Sequence, residues 1–300
     1  MEADDEGFFS KVAKILAPIN DDYQILGSGQ ESLSMIFEIL SARNIPTEVT
    51  ILPNMEFQED PNMPFQTRNV TYQVVDPKGY DWKNKRIRCI LGAMGSLKQH
   101  SKIQIFEWFE RNYGIKEQFY INLIHPHTTI ATTIEMDGGV HIEPGAVIAP
   151  YVHLGFGVTL NRRVSIGHHT RIGKFSTVNP GANIAGSVQI GKNCIIGANA
   201  FISDHVKIGH GSIIGAGAIV LKDVPAGVLA YGNPCRVVRS LSESKSKELH
   251  QVKALGQEEG TTFVSKNQQS EESEEIDTGE KLLNDTMVSD NEPCLNKLVL

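Results

Sequence analysis

Between residues 142 and 220, an aliphatic side chain recurs at every sixth position without exception. The residue two places before each of them is small or β-branched, from Val140 through to Ala218. A period of six matches neither the 3.6-residue period of an α-helix nor the two-residue period of a strand. The aliphatic positions are Ile142, Ile148, Leu154, Leu160, Ile166, Ile172, Val178, Ile184, Ile190, Ile196, Ile202, Ile208, Ile214 and Val220.

This period predicts a parallel β-helix in which each hexad supplies one short strand and one turn. Three hexads close a triangular coil, and stacked coils bury their aliphatic residues in a narrow axial core. The repeats from Ile142 onward would make under five coils. Glycine often follows the aliphatic residue, and we interpret it as a response to positive φ angles in tight turns. These glycines are Gly155, Gly167, Gly173, Gly191, Gly197, Gly209 and Gly215.

Upstream of the repeats, strand and helix patterns alternate, which favours a small, Rossmann-like parallel α/β domain. Residues 8–19 have the pattern of a short amphipathic helix, whereas residues 54–80 are polar and allow no assignment. The predicted strands are Tyr23–Leu26, Glu48–Leu52, Arg86–Leu91 and Phe119–Leu123, and the predicted helices are Ser32–Leu40 and Lys98–Asn112.

Charge and cysteine content narrow the functional classes. The net charge of −7 lies in the last 60 residues, because basic and acidic residues balance at 22 each before them. An acidic chain argues against a nucleic acid as the partner. The four cysteines form no CxxC pair, which excludes a disulfide scaffold or a zinc ribbon and is typical of a reducing compartment. The acidic start and the lack of a long apolar run predict a cytoplasmic protein without membrane insertion.

These patterns divide the chain into four parts. We expect an N-terminal extension over residues 1–21, a Rossmann-like domain over 22–123 and a β-helix over 124–240. Residues 241–300 are rich in Ser, Glu, Gln and Asn and have no apolar period, so we expect an acidic disordered tail.

Several stretches resemble the hexapeptide-repeat sugar acetyltransferases, typified by sialic acid O-acetyltransferase and the UDP-4-amino-sugar N-acetyltransferase. They are the glycine turn Ile25–Gly29, the junction Asn122–Pro126, the block Leu160–Ala182 and the closing Gly232-Asn233-Pro234 with Arg236. The resemblance spans roughly residues 22–240. It implies a left-handed β-helix, acetyl-CoA as cosubstrate, a small-molecule sugar acceptor and a homotrimer whose active sites lie between subunits.

The resemblance further implies that His168 is the general base. A group that attacks a thioester must lose a proton, and neutral imidazole accepts one near pH 7. The family usually has an acid at the next position, where this chain has His169. His169 would either orient the base or contact the acceptor, or it would belong to an inert surface column. At three hexads per coil, His169, Ser187 and His205 should form one column. No Ser-His-Asp or Cys-His set is evident in the sequence. We therefore expect the acetyl group to pass directly to the acceptor, without a covalent acyl-enzyme.

By the same resemblance, acetyl-CoA would contact turn positions on successive coils. The matching positions are Gly186, Ala198 and Ala216, each two residues after an aliphatic residue. Thr177 replaces a histidine that contacts the acetyl group in part of the family.

The resemblance assigns the acceptor to the glycine turn of the N-terminal domain. The expected contacts with a nucleotide-linked sugar are Gly27, Gly29, Gln30, Glu31 and Ser32. The last three replace the family's usual Gly-His-Gly, which predicts altered acceptor contacts.

Two alternatives remain open on the sequence. A catalytically impaired scaffold or regulatory homologue would explain the missing acid after His168 and the altered glycine turn. A zinc protein similar to the γ-class carbonic anhydrases would use His169, His205 and His210. The positions of His205 and His210 within their hexads, however, differ from those of the paired histidines in that family. We therefore expect no metal.

Overall fold

A computed structural model describes residues 23–27, 30–43, 47–54, 69–83, 87–93 and 101–241, except for the side chains of residues 30, 31 and 101. The predicted helix over residues 8–19 lies outside these ranges, as does the predicted tail beyond residue 241. No helix among the described residues is long and apolar enough to span a membrane.

The described chain begins with a four-stranded parallel sheet in the order β3-β2-β1-β4. Its core lies on both faces of the sheet, one covered by α1 and the other by α2. The strands are β1 (Tyr23–Leu26), β2 (Thr47–Leu52), β3 (Val70–Val74) and β4 (Cys89–Leu91), and the helices are α1 (Gln30–Ser41) and α2 (Ser101–Tyr113). The predicted parallel α/β domain is thereby confirmed.

Two strands of this domain differ from the sequence prediction. The predicted strand Phe119–Leu123 is reduced to one parallel bridge between Tyr120 and Cys89 of β4. Glu117–Phe119 forms a 3-10 turn, and the N–H of Leu123 donates to the carbonyl of Val140 in the β-helix. The edge strand β3 was not predicted. Only its first residue is buried, so it has no alternating pattern.

The β-helix contains seventeen two-residue strands. They are β5 (Leu123–Ile124), β6 (Thr129–Ile130), β7 (Glu135–Met136), β8 (His141–Ile142), β9 (Val147–Ile148), β10 (His153–Leu154), β11 (Thr159–Leu160), β12 (Ser165–Ile166), β13 (Arg171–Ile172), β14 (Thr177–Val178), β15 (Asn183–Ile184), β16 (Gln189–Ile190), β17 (Ile195–Ile196), β18 (Phe201–Ile202), β19 (Lys207–Ile208), β20 (Ile213–Ile214) and β21 (Ile219–Val220).

Every third strand pairs in parallel, which produces three flat faces. We call them face 1 (β5, β8, β11, β14, β17, β20), face 2 (β6, β9, β12, β15, β18, β21) and face 3 (β7, β10, β13, β16, β19). At the C-terminal end, β22 (Val228–Tyr231) extends face 1 and pairs antiparallel with β23 (Arg236–Ser240). The turns between the faces form the 1/2, 2/3 and 3/1 corners.

The β-helix is one coil longer than the estimate of under five coils. Three further hexads precede Ile142, and their inward residues Ile124, Ile130 and Met136 pack on the same axial core. Asn122 stands at the first corner position in place of an apolar residue, and its Oδ1 accepts the N–H of Val140 at 2.9 Å. Met136 interrupts the series of Ile, Leu and Val six residues before Ile142, so the coil count from the unbroken repeat was too low.

The glycines that follow the aliphatic residues have a different cause from the one we inferred. None of them has a positive φ angle. Left-handed residues occur two places later and include side-chain-bearing residues such as His169 and Phe175. A Cβ at Gly197 would lie 2.4 Å from the backbone N of Ala216. Glycine is required there because successive coils approach too closely for a side chain.

Candidate active site

The 2/3 corner carries the predicted base. His168 lies two residues after Ile166 at the end of β12, and its side chain is exposed. His169 has a left-handed φ of 58°, and its N–H donates to the carbonyl of Pro150 in the preceding coil at 3.1 Å. The corner thus holds two adjacent imidazoles on a rigid backbone.

The two imidazoles contact each other directly. Nδ1 of His168 lies 3.0 Å from Nδ1 of His169, and the ring planes are 85° apart. A hydrogen bond between two imidazole nitrogens needs one donor and one acceptor. When His168 is the donor, its Nε2 keeps a lone pair, which is the tautomer that a general base needs.

The predicted column along this corner is confirmed. The N–H of Ser187 donates to the carbonyl of His168, and the N–H of His205 donates to the carbonyl of Gly186. Tyr151 extends the column by one coil, with its ring centroid 4.9 Å from that of His169. Because 59% of Tyr151 is exposed, this aromatic ring borders the solvent beside the two histidines.

Gly186 lies one coil beyond His168 and is buried. A Cβ at this position would lie 2.7 Å from Cε1 and 2.9 Å from Nε2 of His168. Its N–H donates to Oδ1 of Asp204 at 2.8 Å, and its carbonyl accepts from His205. Both backbone groups are therefore used within the protein, and the glycine makes room for the His168 ring.

Ala198 and Ala216 occupy a different corner, the 1/2 corner, one coil apart. Within the described ranges, neither backbone N–H donates a hydrogen bond to the chain. The equivalent N–H groups of Gly186 and Lys192 are capped by side chains of the next coil, Asp204 and His210. The side chain of Ala216 has no acceptor atom that could cap the N–H of Ala198. The backbone N–H groups of Ala198 and Ala216 are therefore available to a ligand.

Other predicted site residues lie elsewhere. Thr177 is on face 1, is 3% exposed, and is not brought to His168 within one protomer. Gly27 directly follows β1 and has a φ of 109°, and Ser32 is buried in α1. Gly29 and the side chains of Gln30 and Glu31 lie outside the described residues.

A groove of about 740 Å³ runs along face 3 and the 3/1 corner. Arg171, Lys192 and Lys207 are among its lining residues. Within the described chain, none of these three side chains forms an ion pair with a carboxylate. Asp137 and Asp223 also line this groove, and no residue of the 2/3 corner is among its described lining residues.

The histidines of the zinc alternative lie on two corners of the β-helix. His205 lies on the 2/3 corner and His210 on the 3/1 corner. Among the described residues, no three His, Cys, Asp or Glu side chains are grouped closely enough to hold a metal ion.

Residues 164–204 and 187–222 match the family model described as bacterial transferase hexapeptide (six repeats). The β-helix of this chain is built from hexapeptide repeats. No curated protein sequence matches the chain.

Solved structures extend the comparison to the whole described fold. The acetyltransferase domain of PglB from Neisseria gonorrhoeae, in complex with acetyl coenzyme A, is 21% identical with a TM-score of 0.57, covering 73% of this chain and 100% of its own. PerB from Caulobacter crescentus, in complex with CoA and GDP-perosamine, is 23% identical with a TM-score of 0.56, covering 74% and 99%. WeeI from Acinetobacter baumannii is 21% identical with a TM-score of 0.56, covering 73% and 99%.

These similarities confirm the predicted architecture of an α/β domain followed by a left-handed β-helix. At this level of identity they establish the fold, and the activity of this chain must be argued from its own residues.

Asp204, whose carboxylate accepts the N–H of Gly186, was not among the predicted site residues. The signal was available, because His168, Gly186 and Asp204 are spaced by 18 residues, which is one coil. The same spacing was used for His169 but not for His168.

Proposed function

We propose that this protein transfers an acetyl group from acetyl-CoA to an amine or hydroxyl of a sugar, with the sugar linked to a nucleotide. The observation that carries the proposal is the His168–His169 pair at the exposed 2/3 corner. The fold shared with the acetyltransferase domain of PglB and with PerB supports it.

In this proposal His168 acts as the general base. Its Nδ1–H donates to His169, and its Nε2 accepts the proton that the acceptor loses. His169 does the orienting work that an acid does in the related family, while Tyr151 packs against its ring. The backbone N–H groups of Ala198 and Ala216 are suited to bind carbonyl groups of acetyl-CoA.

The position of these groups supports assembly into a homotrimer. His168 is on the 2/3 corner and the open N–H groups are on the 1/2 corner, at opposite edges of face 2. We expect these two corners of one protomer to serve two different active sites. When the 2/3 corner of one protomer faces the 1/2 corner of its neighbour, all parts of the site come together.

The first test is CoA release from acetyl-CoA with a panel of amino-sugar and hydroxy-sugar nucleotides. We expect His168→Ala to lower kcat by about 10²–10⁴-fold. Its KM for acetyl-CoA should change little. The matched control is His153→Ala, which removes a half-buried histidine of face 3 near Asp137. Wild-type turnover by His168→Ala would refute the assigned base, and failure of the wild-type protein with every acceptor would favour the scaffold alternative.

The subunit arrangement is tested by mixing two inactive variants. His168→Ala removes the base from one corner, and Ala198→Trp blocks the other. Co-assembled protomers should regain part of the activity, because some sites then combine two intact corners. No recovery in co-assembled trimers, or a monomer in sedimentation at micromolar concentration, would contradict the shared site.

A further inference from the structure

We propose that the aromatic ring of Tyr151 stabilises the positive charge that forms on the His168–His169 pair during the reaction, in place of the acid that is missing after His168. This inference rests on the proposed acetyl transfer and adds a positioning residue to its site. It starts from an exposed tyrosine at a backbone position that disfavours bulky side chains.

The backbone conformation of Tyr151 is unfavourable for a residue of its size. Its φ of 61° lies in the left-handed region, where a bulky side chain is uncommon and strained. The equivalent position is a glycine at several turns of the other two corners, such as Gly139 and Gly145. Because 59% of Tyr151 is exposed, burial of the ring does little to offset the strain. An exposed, bulky side chain in a strained conformation is typical of functional sites.

The ring of Tyr151 lies against the ring of His169. The two centroids are 4.9 Å apart and the ring planes are inclined by 32°, so the rings meet as a tilted stack. Tyr151 is fixed to the preceding coil, because its N–H donates to Oγ1 of Thr133 at 3.2 Å. The face of an aromatic ring carries negative partial charge. It therefore attracts a cation that forms on the imidazole stacked against it.

A charge that forms at His168 reaches His169 through their hydrogen bond. As the acceptor atom bonds to the thioester carbonyl carbon, Nε2 of His168 takes its proton, and Nδ1–H of His168 passes to Nδ1 of His169, 3.0 Å away. The pair then carries one positive charge in total, next to Tyr151. The carbon–sulfur bond breaks, Nε2–H of His168 goes to the departing sulfur of CoA, and the proton between the two rings returns to His168.

No carboxylate is paired with these imidazoles in the part of the chain that the structure describes. Neither His168 nor His169 forms an ion pair with an acidic side chain there. Asp204 lies on the same corner, but its Oδ1 accepts the N–H of Gly186. The Tyr151 ring, by contrast, is in direct contact with the pair and favours its charged form.

The test replaces Tyr151 with side chains that differ in the charge of the ring face. Tyr151→Phe keeps the aromatic face, and Tyr151→Leu removes it. Increasingly fluorinated phenylalanines at position 151 keep the shape of the ring while weakening and finally reversing the negative charge of its face. The measured quantities are kcat and the KM values for acetyl-CoA and for a sugar nucleotide that the wild type acetylates.

We expect kcat to fall steadily with fluorination. Tyr151→Leu and the fully fluorinated ring should lower kcat by about two- to fivefold, as expected for a cation–π contact at an exposed site. Tyr151→Phe should keep nearly the wild-type kcat. Both KM values should stay within about twofold of the wild type, because the charge develops only in the transition state.

His169→Asp provides the matched control background. It restores the acid that the related family usually has, so the charge on His168 is stabilised by a carboxylate and no longer shared with a ring stacked on Tyr151. In this background, Tyr151→Phe and the fluorinated series should have equal kcat values. An equally steep dependence on fluorination there would contradict the route through His169.

Two further results would overturn the inference while leaving the proposed function standing. One is a flat fluorinated series with His169 present, since packing of the ring would then be its whole role. The other is an equal loss in Tyr151→Phe and in the fully fluorinated variant, which would assign the effect to the phenol hydroxyl. Absence of acetyl transfer by the wild type to every sugar nucleotide refutes the proposed function and this inference together, so the failures are distinguishable.

Discussion

Lys102 provides the sharpest test of how the α/β domain is attached to the β-helix. This second residue of α2 is only 5% exposed. Its Nζ donates hydrogen bonds to the carbonyl of Gly157 at 2.9 Å, Oγ1 of Thr159 at 3.1 Å and the carbonyl of Ser176 at 3.2 Å. No carboxylate is paired with it in the described chain. The ammonium thus joins α2 to two coils.

The burial of Lys102 makes the free energy of unfolding depend on pH. Desolvation lowers the pKa of Lys102 from 10.5 to about 7. Between these values the unfolded chain binds a proton that the folded chain has lost, so the free energy of unfolding rises with pH. One pKa unit corresponds to about 1.4 kcal/mol, so the free energy of unfolding should rise by up to about 5 kcal/mol between these two pKa values.

The assay is urea unfolding at one fixed protein concentration and at successive pH values from 7 to 10. The wild type should gain stability over this range, whereas Lys102→Met, which keeps an apolar stem but cannot titrate, should lack this contribution. Lys174→Met is the control, because Lys174 is half-exposed and paired with Glu117 at 2.8 Å. Equal pH dependence in the wild type and Lys102→Met would refute the reasoning.

Two further predictions concern burial and close packing. His141 is 1% exposed, and in the described chain neither of its ring nitrogens has a hydrogen-bond partner. Burial lowers its pKa to about 3, so the folded state loses stability as the pH falls below 6.5. His141→Leu should shift acid unfolding, followed by circular dichroism, to lower pH, and an unchanged midpoint would contradict this. Gly197→Ala should lower the melting temperature by several degrees, because its Cβ would meet the next coil at 2.4 Å. Gly79→Ala should not, because no described atom beyond its chain neighbours lies within 4 Å of the added Cβ, and equal melting temperatures for the two variants would refute the close-approach argument.

A local, periodic signal made the β-helix predictable from the sequence. One inward aliphatic residue per hexad leaves few alternatives, because only stacking buries that residue. The column of His169, Ser187 and His205 followed from the same arithmetic, and the structure confirms it. The strands and helices of the α/β domain were recognisable wherever one face of the element is buried.

Tertiary structure decided what no local pattern records. The space occupied by the ring of His168 exists because Gly186 lacks a side chain one coil away, and Asp204 reaches the same place from the following coil. The glycines after the aliphatic residues are set by the distance between coils and not by their own φ angles. Burial of Lys102 depends on how α2 packs on face 1. Each of these features joins residues far apart in the chain, and a hydrophobic pattern reports only which side of its own element a residue faces.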